Sequence, residues 1–199
     1  DGTTAAGWDD ADLRQSLADG PLDHGFDFFH GMSRSHGSAG PDGMKRNTPD
    51  QSVGPGWMHN RQVVGATSKG KALDGSYVYS GVGDVLDREA MAFLREAAGA
   101  TRPFFLYFAS PANHTPYTPS RQIGGTPIAG ASRYVDGKLT GSIRLDFIYQ
   151  NDVHLARLME FLAQTPDPRR PGHPLRENTL LVFSSDNGAD KPDKSFTGP

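Results

Sequence analysis

A carboxylate and an amide stand side by side near the end of the chain, at Asp186 and Asn187, and Gly188 follows them. Their side-chain oxygens are hard ligands of the kind that Ca²⁺ and Mg²⁺ take in proteins. A glycine in the next position permits a turn that points both side chains toward one centre. The same three residues are also a common turn sequence without any ligand. The pattern alone therefore leaves a metal site and an ordinary turn as alternatives.

Histidine is the other residue type that could take part in chemistry, but most histidines here show no pattern. His24, His30, His36 and His59 lack the spacing of a metal site, and we interpret them as surface or loop residues. Cysteine is absent from the 199 residues. This excludes disulfides, thiolate metal sites and a cysteine nucleophile within them.

The charge balance favours no polyanionic partner. The sequence has 20 Lys and Arg against 23 Asp and Glu, a formal net charge of −3, so it predicts no nucleic-acid binding. No run reaches the roughly 18 apolar residues of a membrane span, and the first residues lack the basic and apolar regions of a signal peptide. We expect a soluble chain that binds no membrane. Composition does not indicate its oligomeric state.

Two stretches have the apolar spacing of amphipathic helices, over residues 85–98 and 142–163. The first has Asp84 as its predicted N-cap and Gly99 as its stop. Its predicted apolar face consists of Val85, Leu86, Ala90, Phe93, Leu94 and Ala97. The predicted apolar residues of the second are Ile143, Phe147, Leu155, Leu158, Met159 and Leu162.

Two short apolar runs, residues 104–108 and 180–183, are predicted strands covered on both faces. Helix, strand, helix and strand follow in this order, which predicts an α/β fold with a mostly parallel sheet and helices on both faces. Ligands of such sheets bind at the carboxyl ends of the strands. Asn-His-Thr-Pro at 113–116 and Ser-Asp-Asn-Gly at 185–188 are placed there.

Four segments of the chain resemble segments of the sulfatase family, in the same order and at matching spacing. They are "PLDHGFDFFHG" at 21–31, "RPFFLYFASPANHTPYTP" at 102–119, "NDVHLARLMEFL" at 151–162 and "TLLVFSSDNG" at 179–188. Ala156 stands where the family's helix usually has Gly, a departure that bears on packing rather than on chemistry. The resemblance implies an alkaline-phosphatase-like α/β domain and the hydrolysis of a sulfate ester.

The resemblance also implies roles for particular residues. Asp186 and Asn187 match the family's calcium ligands, and the calcium is expected to neutralise charge that develops on the sulfate. His114 matches the histidine that contacts the sulfate ester and helps to protonate the departing alcohol. Ser35 falls, by a looser match, where some members place a sulfate-contacting serine. The alternatives are a loop histidine bonded only to backbone and a solvated turn serine.

A second sulfatase-like pattern overlaps the first, because Tyr117 is followed by Thr-Pro-Ser-Arg. In the family, Cys-x-Pro-Ser-Arg opens a helix, whose N–H groups favour an anionic site, and the cysteine becomes formylglycine. Tyrosine cannot undergo that conversion, and the residues that follow here are rich in glycine. We interpret His-Thr-Pro at 114–116 as the genuine sulfatase-like motif and Thr-Pro-Ser-Arg at 118–121 as a coincidence.

Other family residues are not found in the sequence. The nucleophile, the first pair of calcium aspartates and a Gly-Lys-Trp-His segment precede the Gly-Phe-Asp region in the family, and residues 1–24 contain none of them. A further active-site lysine normally follows Asp-Asn-Gly at some distance, and Lys191 and Lys194 are too close. We therefore expect residues 1–199 to be an internal portion of a single sulfatase catalytic domain, inactive alone, with the formylglycine outside it.

Two other functions stay open. One is a phosphodiesterase or phosphonate hydrolase of the same superfamily. Those relatives often carry Asp-His-Gly where this chain has Asp186, Asn187 and Gly188. The other is a noncatalytic carbohydrate-binding relative that has lost its nucleophile. The expected substrate is a small-molecule or oligosaccharide sulfate ester, with a sulfated sugar favoured, and residues 32–80 and 120–140 are expected to select it.

A formal N-glycosylation sequon covers Asn113, His114 and Thr115. A glycan there would stand beside the histidine that the resemblance implicates. We therefore favour a bacterial periplasmic or extracellular location over a glycosylating secretory route.

Overall fold

The computed structural model describes residues 14–32, 52–53, 56–64 and 77–188. Ser35, Lys191 and Lys194 lie outside these ranges, as does most of the segment 32–80 that we expect to select the substrate. Within the described residues, both predicted helices are present and every strand pair is antiparallel.

The first helix, α1, spans Val82–Ala98 and confirms the predicted element. A short 3-10 turn, Tyr79–Gly81, leads into it, so that Gly81 rather than Asp84 is the N-cap and Asp84 lies in the first turn. An acidic side chain there still interacts favourably with the partial positive charge of the helix N-terminus. Gly99 caps the C-terminal end, as predicted.

The buried face of α1 overlaps the predicted one only in part, since Ala90 and Leu94 are buried as predicted. Val85, Leu86, Phe93 and Ala97 are only half-buried. The fully buried positions are Val82, Gly83, Asp87, Ala90, Met91, Leu94 and Ala98. Two of these, a glycine and an aspartate, carry no apolar signal, so a search for apolar spacing places the buried face one residue away.

The second helix, α2, spans Ile143–Gln164. Ser142 is its N-cap and accepts a hydrogen bond from the Leu145 N–H over 3.3 Å. Ile143 and Met159, which were predicted to face the core, are 50% and 53% exposed. Polar residues take buried positions instead, namely Asp146, Gln150 and His154, and each accepts or donates a hydrogen bond there.

The strands of the described residues form three small antiparallel units. In the three-stranded unit, His30 lies opposite His59 and Met32 opposite Trp57. The strands are β1 (His30–Met32), β2 (Ser52–Val53), β3 (Trp57–His59), β4 (Gln62–Val63), β5 (Tyr77–Val78), β6 (Gln122–Ile123) and β7 (Thr126–Pro127). The pairing orders are β1-β3-β4, β2-β5 and β6-β7.

The two predicted strands, 104–108 and 180–183, are not strands in the structure, and the predicted parallel sheet is not formed by the described residues. Residues 104–108 have no regular secondary structure, and half-buried and exposed side chains alternate along them. Phe105 and Tyr107 are each 73% exposed, whereas Phe104 packs on the core. A strand requires a neighbour that supplies backbone hydrogen bonds, and an apolar run by itself does not provide one.

The apolar core of the described part of the chain consists of three clusters around the helices. The first lies where β3 meets the start of α1, and the third lies between α2 and the β6–β7 hairpin. The second joins Ala98 at the end of α1, Leu162 of α2 and Leu175, with Phe104 and Phe161 packed against it. No helix in the described ranges is long and apolar enough to cross a bilayer.

The proline-rich segment after α2 is folded around one buried carboxylate. Asp167 accepts hydrogen bonds from the Arg169 N–H and Nε at 3.0 and 2.8 Å, and from Asn178 Nδ2 at 2.9 Å. These hydrogen bonds lower the pKa of Asp167 to about 2, and the bond from the Arg169 side chain has the largest effect. The proline-rich segment is therefore a structured connection back to the core, in which Leu175 is buried.

Candidate active site

His114 lies on a loop of residues 110–120, which we call the His114 loop. It follows the apolar run 104–108 and leads to the β6–β7 hairpin. The His114 imidazole is exposed. The His114 N–H donates to the Pro111 carbonyl over 2.7 Å and closes a tight turn. Nδ1 lies 2.5 Å from the Thr115 carbonyl oxygen. A carbonyl oxygen only accepts, so Nδ1 holds the proton in this contact, and Nε2 is the ring nitrogen that can exchange a proton with a ligand.

The second half of the same loop has no feature of a nucleophile site. Thr118, Pro119 and Ser120 are buried, and the chain then enters β6 rather than a helix. Tyr117 lies under the Arg144 guanidinium, 5.6 Å from the ring centroid. This confirms that Thr-Pro-Ser-Arg does not open a helix here.

Asp186 and Asn187 lie in an exposed turn, which hydrogen bonds among its own residues stabilise. Ser185 Oγ donates to the Asn187 carbonyl over 2.6 Å, and Asn187 Nδ2 donates to the Gly188 carbonyl over 2.7 Å. With Nδ2 so engaged, Oδ1 is the Asn187 atom that can face a cation. This oxygen and the Asp186 carboxylate suit calcium as two of the roughly six to eight donors that it takes.

No group of three or more Asp, Glu or His side chains in the described residues could hold a metal ion. The turn thus fits calcium as part of a ligand set and not as a complete one. His114, Asp186 and Asn187 all lie at exposed positions that follow the two predicted strands. Their convergence on one cleft stays a prediction, as does the role of Ser35.

A buried polar cluster between the two helices was missed by the sequence interpretation. Asp87 of α1 is 4% exposed and accepts hydrogen bonds from Arg157 Nε at 3.1 Å to each carboxylate oxygen. His154 Nδ1 lies 3.4 Å from the same carboxylate. Burial raises the pKa of Asp87, but the hydrogen bonds from His154 and Arg157 outweigh this effect and lower it below its ordinary value.

The signals for this cluster are weak in the sequence. His154 and Arg157 are three residues apart and so share a face of α2. Gly124 of the hairpin turn has φ +53°, and a Cβ there would lie 2.1 Å from Arg157 Cζ, so the turn packs directly on the guanidinium. Nothing in the sequence predicts that a glycine of the turn contacts a polar residue of the helix. Only the folded structure shows this contact.

His30 and His59 are predicted surface or loop residues; His59 is exposed, but both lie in strands and form a pair. They face each other across β1 and β3 with their Nδ1 atoms 3.3 Å apart. His30 also stacks on Trp57, with ring centroids 5.1 Å apart. Burial lowers the pKa of His30. The pair is part of the sheet packing.

The comparisons with known proteins agree on one family. The sulfatase family profile matches residues 6–195. The chain is 30% identical over 169 residues to N-acetylgalactosamine-6-sulfatase of Canis lupus familiaris, and 27% identical over 169 residues to the Mus musculus and Homo sapiens enzymes of that name. Each alignment covers 85% of this chain and 27% of the relative, so the chain spans about a quarter of the relatives' length. No solved structure matches it. The chain belongs to the sulfatase family.

Proposed function

We propose that the protein to which this chain belongs hydrolyses a sulfate ester of a carbohydrate. The observation that carries the proposal is the family match over residues 6–195, which includes the exposed His114 and the Asp186 turn. The relatives are named for action on N-acetylgalactosamine 6-sulfate. This supports a sulfated amino sugar, with the sulfate on a primary alcohol, as the substrate class.

His114 is the proposed general acid. An alkoxide is a poor leaving group, so the ester oxygen of a sugar needs a proton as the sulfur–oxygen bond breaks. Nδ1–H of the ring donates to the Thr115 carbonyl, and Nε2–H of the ring is proposed to donate that proton. The proton moves from Nε2 to the sugar oxygen, and the imidazole regains it from solvent.

Asp186 and Asn187 are proposed to supply a carboxylate oxygen and Oδ1 to a calcium ion. When bound, calcium stabilises negative charge on the sulfate oxygens. The nucleophile is proposed to be a formylglycine elsewhere in the polypeptide, because these 199 residues hold no cysteine. Ser35 is proposed to contact the sulfate, and the location is proposed to be periplasmic or extracellular.

Two alternatives make different predictions. A phosphodiesterase or phosphonate hydrolase attacks phosphorus, and a noncatalytic relative binds sugar without turnover. Asp-Asn-Gly at residues 186–188 favours the sulfate ester, because the rival hydrolases often carry a histidine at the second of these positions.

The test is an assay of the complete enzyme against N-acetylgalactosamine 6-sulfate, a phosphodiester and a phosphonate ester. Sulfate release in excess of phosphate or phosphonate release is expected. Faster phosphodiester cleavage would replace the proposal with the first alternative. Saturable sugar binding without any product would replace it with the second.

A further inference from the structure

Two adjacent amide side chains of α2 contact the His114 loop, one near each end of the loop. Asn151 Nδ2 donates to the Ala112 carbonyl over 2.8 Å. Gln150 Oε1 accepts from the Ser120 N–H over 2.8 Å. Neighbouring residues on a helix point about 100° apart, so two adjacent side chains can reach two separate points of one loop. His114 lies between these two points.

The Asn151 contact acts on the turn that carries His114. Ala112 is inside the turn that the His114 N–H closes on the Pro111 carbonyl. The hydrogen bond from Asn151 therefore restrains the peptide plane that joins Ala112 to Asn113, the residue directly before His114. Only a donor can pair with this carbonyl, and Asn151 supplies one.

The Gln150 contact anchors the other end in a fully buried place. Gln150 is 0% exposed and Ser120 is 1% exposed. Ser120 Oγ also accepts from the Asp84 N–H of α1 at 3.3 Å. Gly83 faces the Gln150 amide so closely that a Cβ there would lie 2.5 Å from Nε2. Glycine at this position thus makes room for the Gln150 side chain between the helices.

We propose that Gln150 and Asn151 form a two-point clamp that positions His114 for proton transfer. They are positioning residues, because they contact the loop backbone and not the substrate. The helix holds the two side chains in a fixed spatial relation, and Pro116 and Pro119 restrict the φ angles of the loop between the two contacts. The catalytic part of this inference rests on the proposed function of His114, and the structural part does not.

The sharpest single change is Asn151→Asp, which keeps the shape of the side chain and replaces the donor by an oxygen that faces the Ala112 carbonyl. Gln164→Glu is the matched control, because it makes the same amide-to-carboxylate change at an exposed position of the same helix. Asn151→Ala is the second variant, since it removes the donor without adding a charge and covers the case in which the aspartate prevents folding.

The structural arm uses the 199-residue chain and amide NMR signals. Asn151→Asp and Asn151→Ala are expected to shift or broaden the backbone amide signals of residues 112–116, while Gln164→Glu leaves them unchanged. In the unmodified chain, the Asn151 side-chain amide is expected to exchange its protons more slowly than an exposed amide. Unchanged loop signals in both Asn151 variants, or fast exchange of the Asn151 amide, would overturn the clamp.

The catalytic arm uses the complete enzyme and a double-mutant cycle with His114→Ala. Asn151→Ala is expected to lower kcat for a sulfated sugar by about 10²-fold with little change in KM, the usual effect of a small misplacement of a catalytic group. The double variant is expected to be no slower than His114→Ala alone, because Asn151 acts only through His114. Losses that multiply would overturn the positioning role.

The two arms separate this inference from the proposed function. If His114→Ala turns over normally, the role of His114 as general acid is wrong. In that case perturbed loop signals in the Asn151 variants still support the clamp as a structural device. If His114→Ala is slow and the loop signals are undisturbed, the clamp is wrong and the general acid stands.

Discussion

At the scale of single residues, the candidate chemistry depends on two exposed turns that present their side chains differently. His114 has one ring nitrogen occupied by the Thr115 carbonyl, so its second nitrogen is the one that can move a proton. Asp186 and Asn187 offer oxygens from a turn that is held by its own hydrogen bonds.

Replacing His114 with Ala in the complete enzyme is expected to slow turnover of a sulfated sugar by roughly 10²–10⁴-fold, the usual worth of general acid catalysis. An aryl sulfate with an acidic leaving group should lose less, since its leaving oxygen needs little protonation. Steady-state rates on both esters check this, with His24→Ala as the control at another exposed histidine. Equal losses on both esters would show that His114 only binds sulfate.

Titration of Asp167 gives a second test at this scale. Its pKa is lowered from 3.8 to about 2, so its contribution to folding is present above pH 4 and is lost as the pH falls toward 2. The difference in free energy of unfolding between the unmodified chain and Asp167→Asn should therefore shrink over that interval. A carboxyl NMR titration should give a midpoint near pH 2.

Arg169 is the largest cause of this shift, and Asn178 is a smaller one. Arg169→Gln should therefore raise the midpoint of Asp167 further toward 3.8 than Asn178→Ala does. The reverse order would show that the guanidinium is not the principal partner of the carboxylate.

At the scale of elements, the two helices are joined by polar contacts as well as by apolar packing. The Asp87 carboxylate of α1 contacts Arg157 and His154 of α2, and the Asp87 and His154 side chains are almost fully buried. Gln150 of α2 lies against Gly83 of α1. Buried polar groups of this kind carry a large penalty when one partner is lost, because the other is left without a hydrogen bond.

Removing the Asp87 carboxylate by Asp87→Ala is expected to lower the free energy of unfolding by about 3 kcal/mol, the lower range for breaking a buried ion pair from one side. Chemical denaturation monitored by circular dichroism measures the change. Glu96→Ala, an exposed acidic residue of the same helix, is the control and should change stability by less than about 0.5 kcal/mol. Similar values for the two variants would mean that the cluster contributes little.

At the scale of the whole molecule, the proposed calcium ligands of the described residues form only part of the shell that such an ion takes. Asp186 and Asn187 are two neighbouring donors, and the described chain has no cluster of three acidic or histidine side chains to add to them. Coordination number limits affinity, because calcium gains most from a shell of about six to eight oxygens.

Titration of calcium into the 199-residue chain should show weak binding, with a Kd on the order of 1 mM or weaker. Isothermal titration calorimetry measures it, and Asp186→Ala should remove what binding there is. Asp152→Ala is the control, at an exposed acidic residue of α2. Tight binding with one ion per chain would require ligands beyond Asp186 and Asn187.

The sequence by itself determined the features that depend on neighbours along the chain. Apolar spacing located α1 and α2 to within about three residues at each end, and the glycine-rich residues after Arg121 correctly excluded a helix there. The motif order indicated the sulfatase family, which the family profile confirms. Helix periodicity and turn chemistry are local, so they can be read without the fold.

Only the tertiary structure decided what depends on distant partners. It placed Asp87, Gln150 and His154 in the core, where their hydrogen bonds come from residues that the sequence does not connect to them. Among the residues that the structure describes, the runs 104–108 and 180–183 have no strand neighbours of the kind that their composition predicted. A buried polar residue or a strand is stable only with its partner, and the partner is a property of the folded chain rather than of the segment.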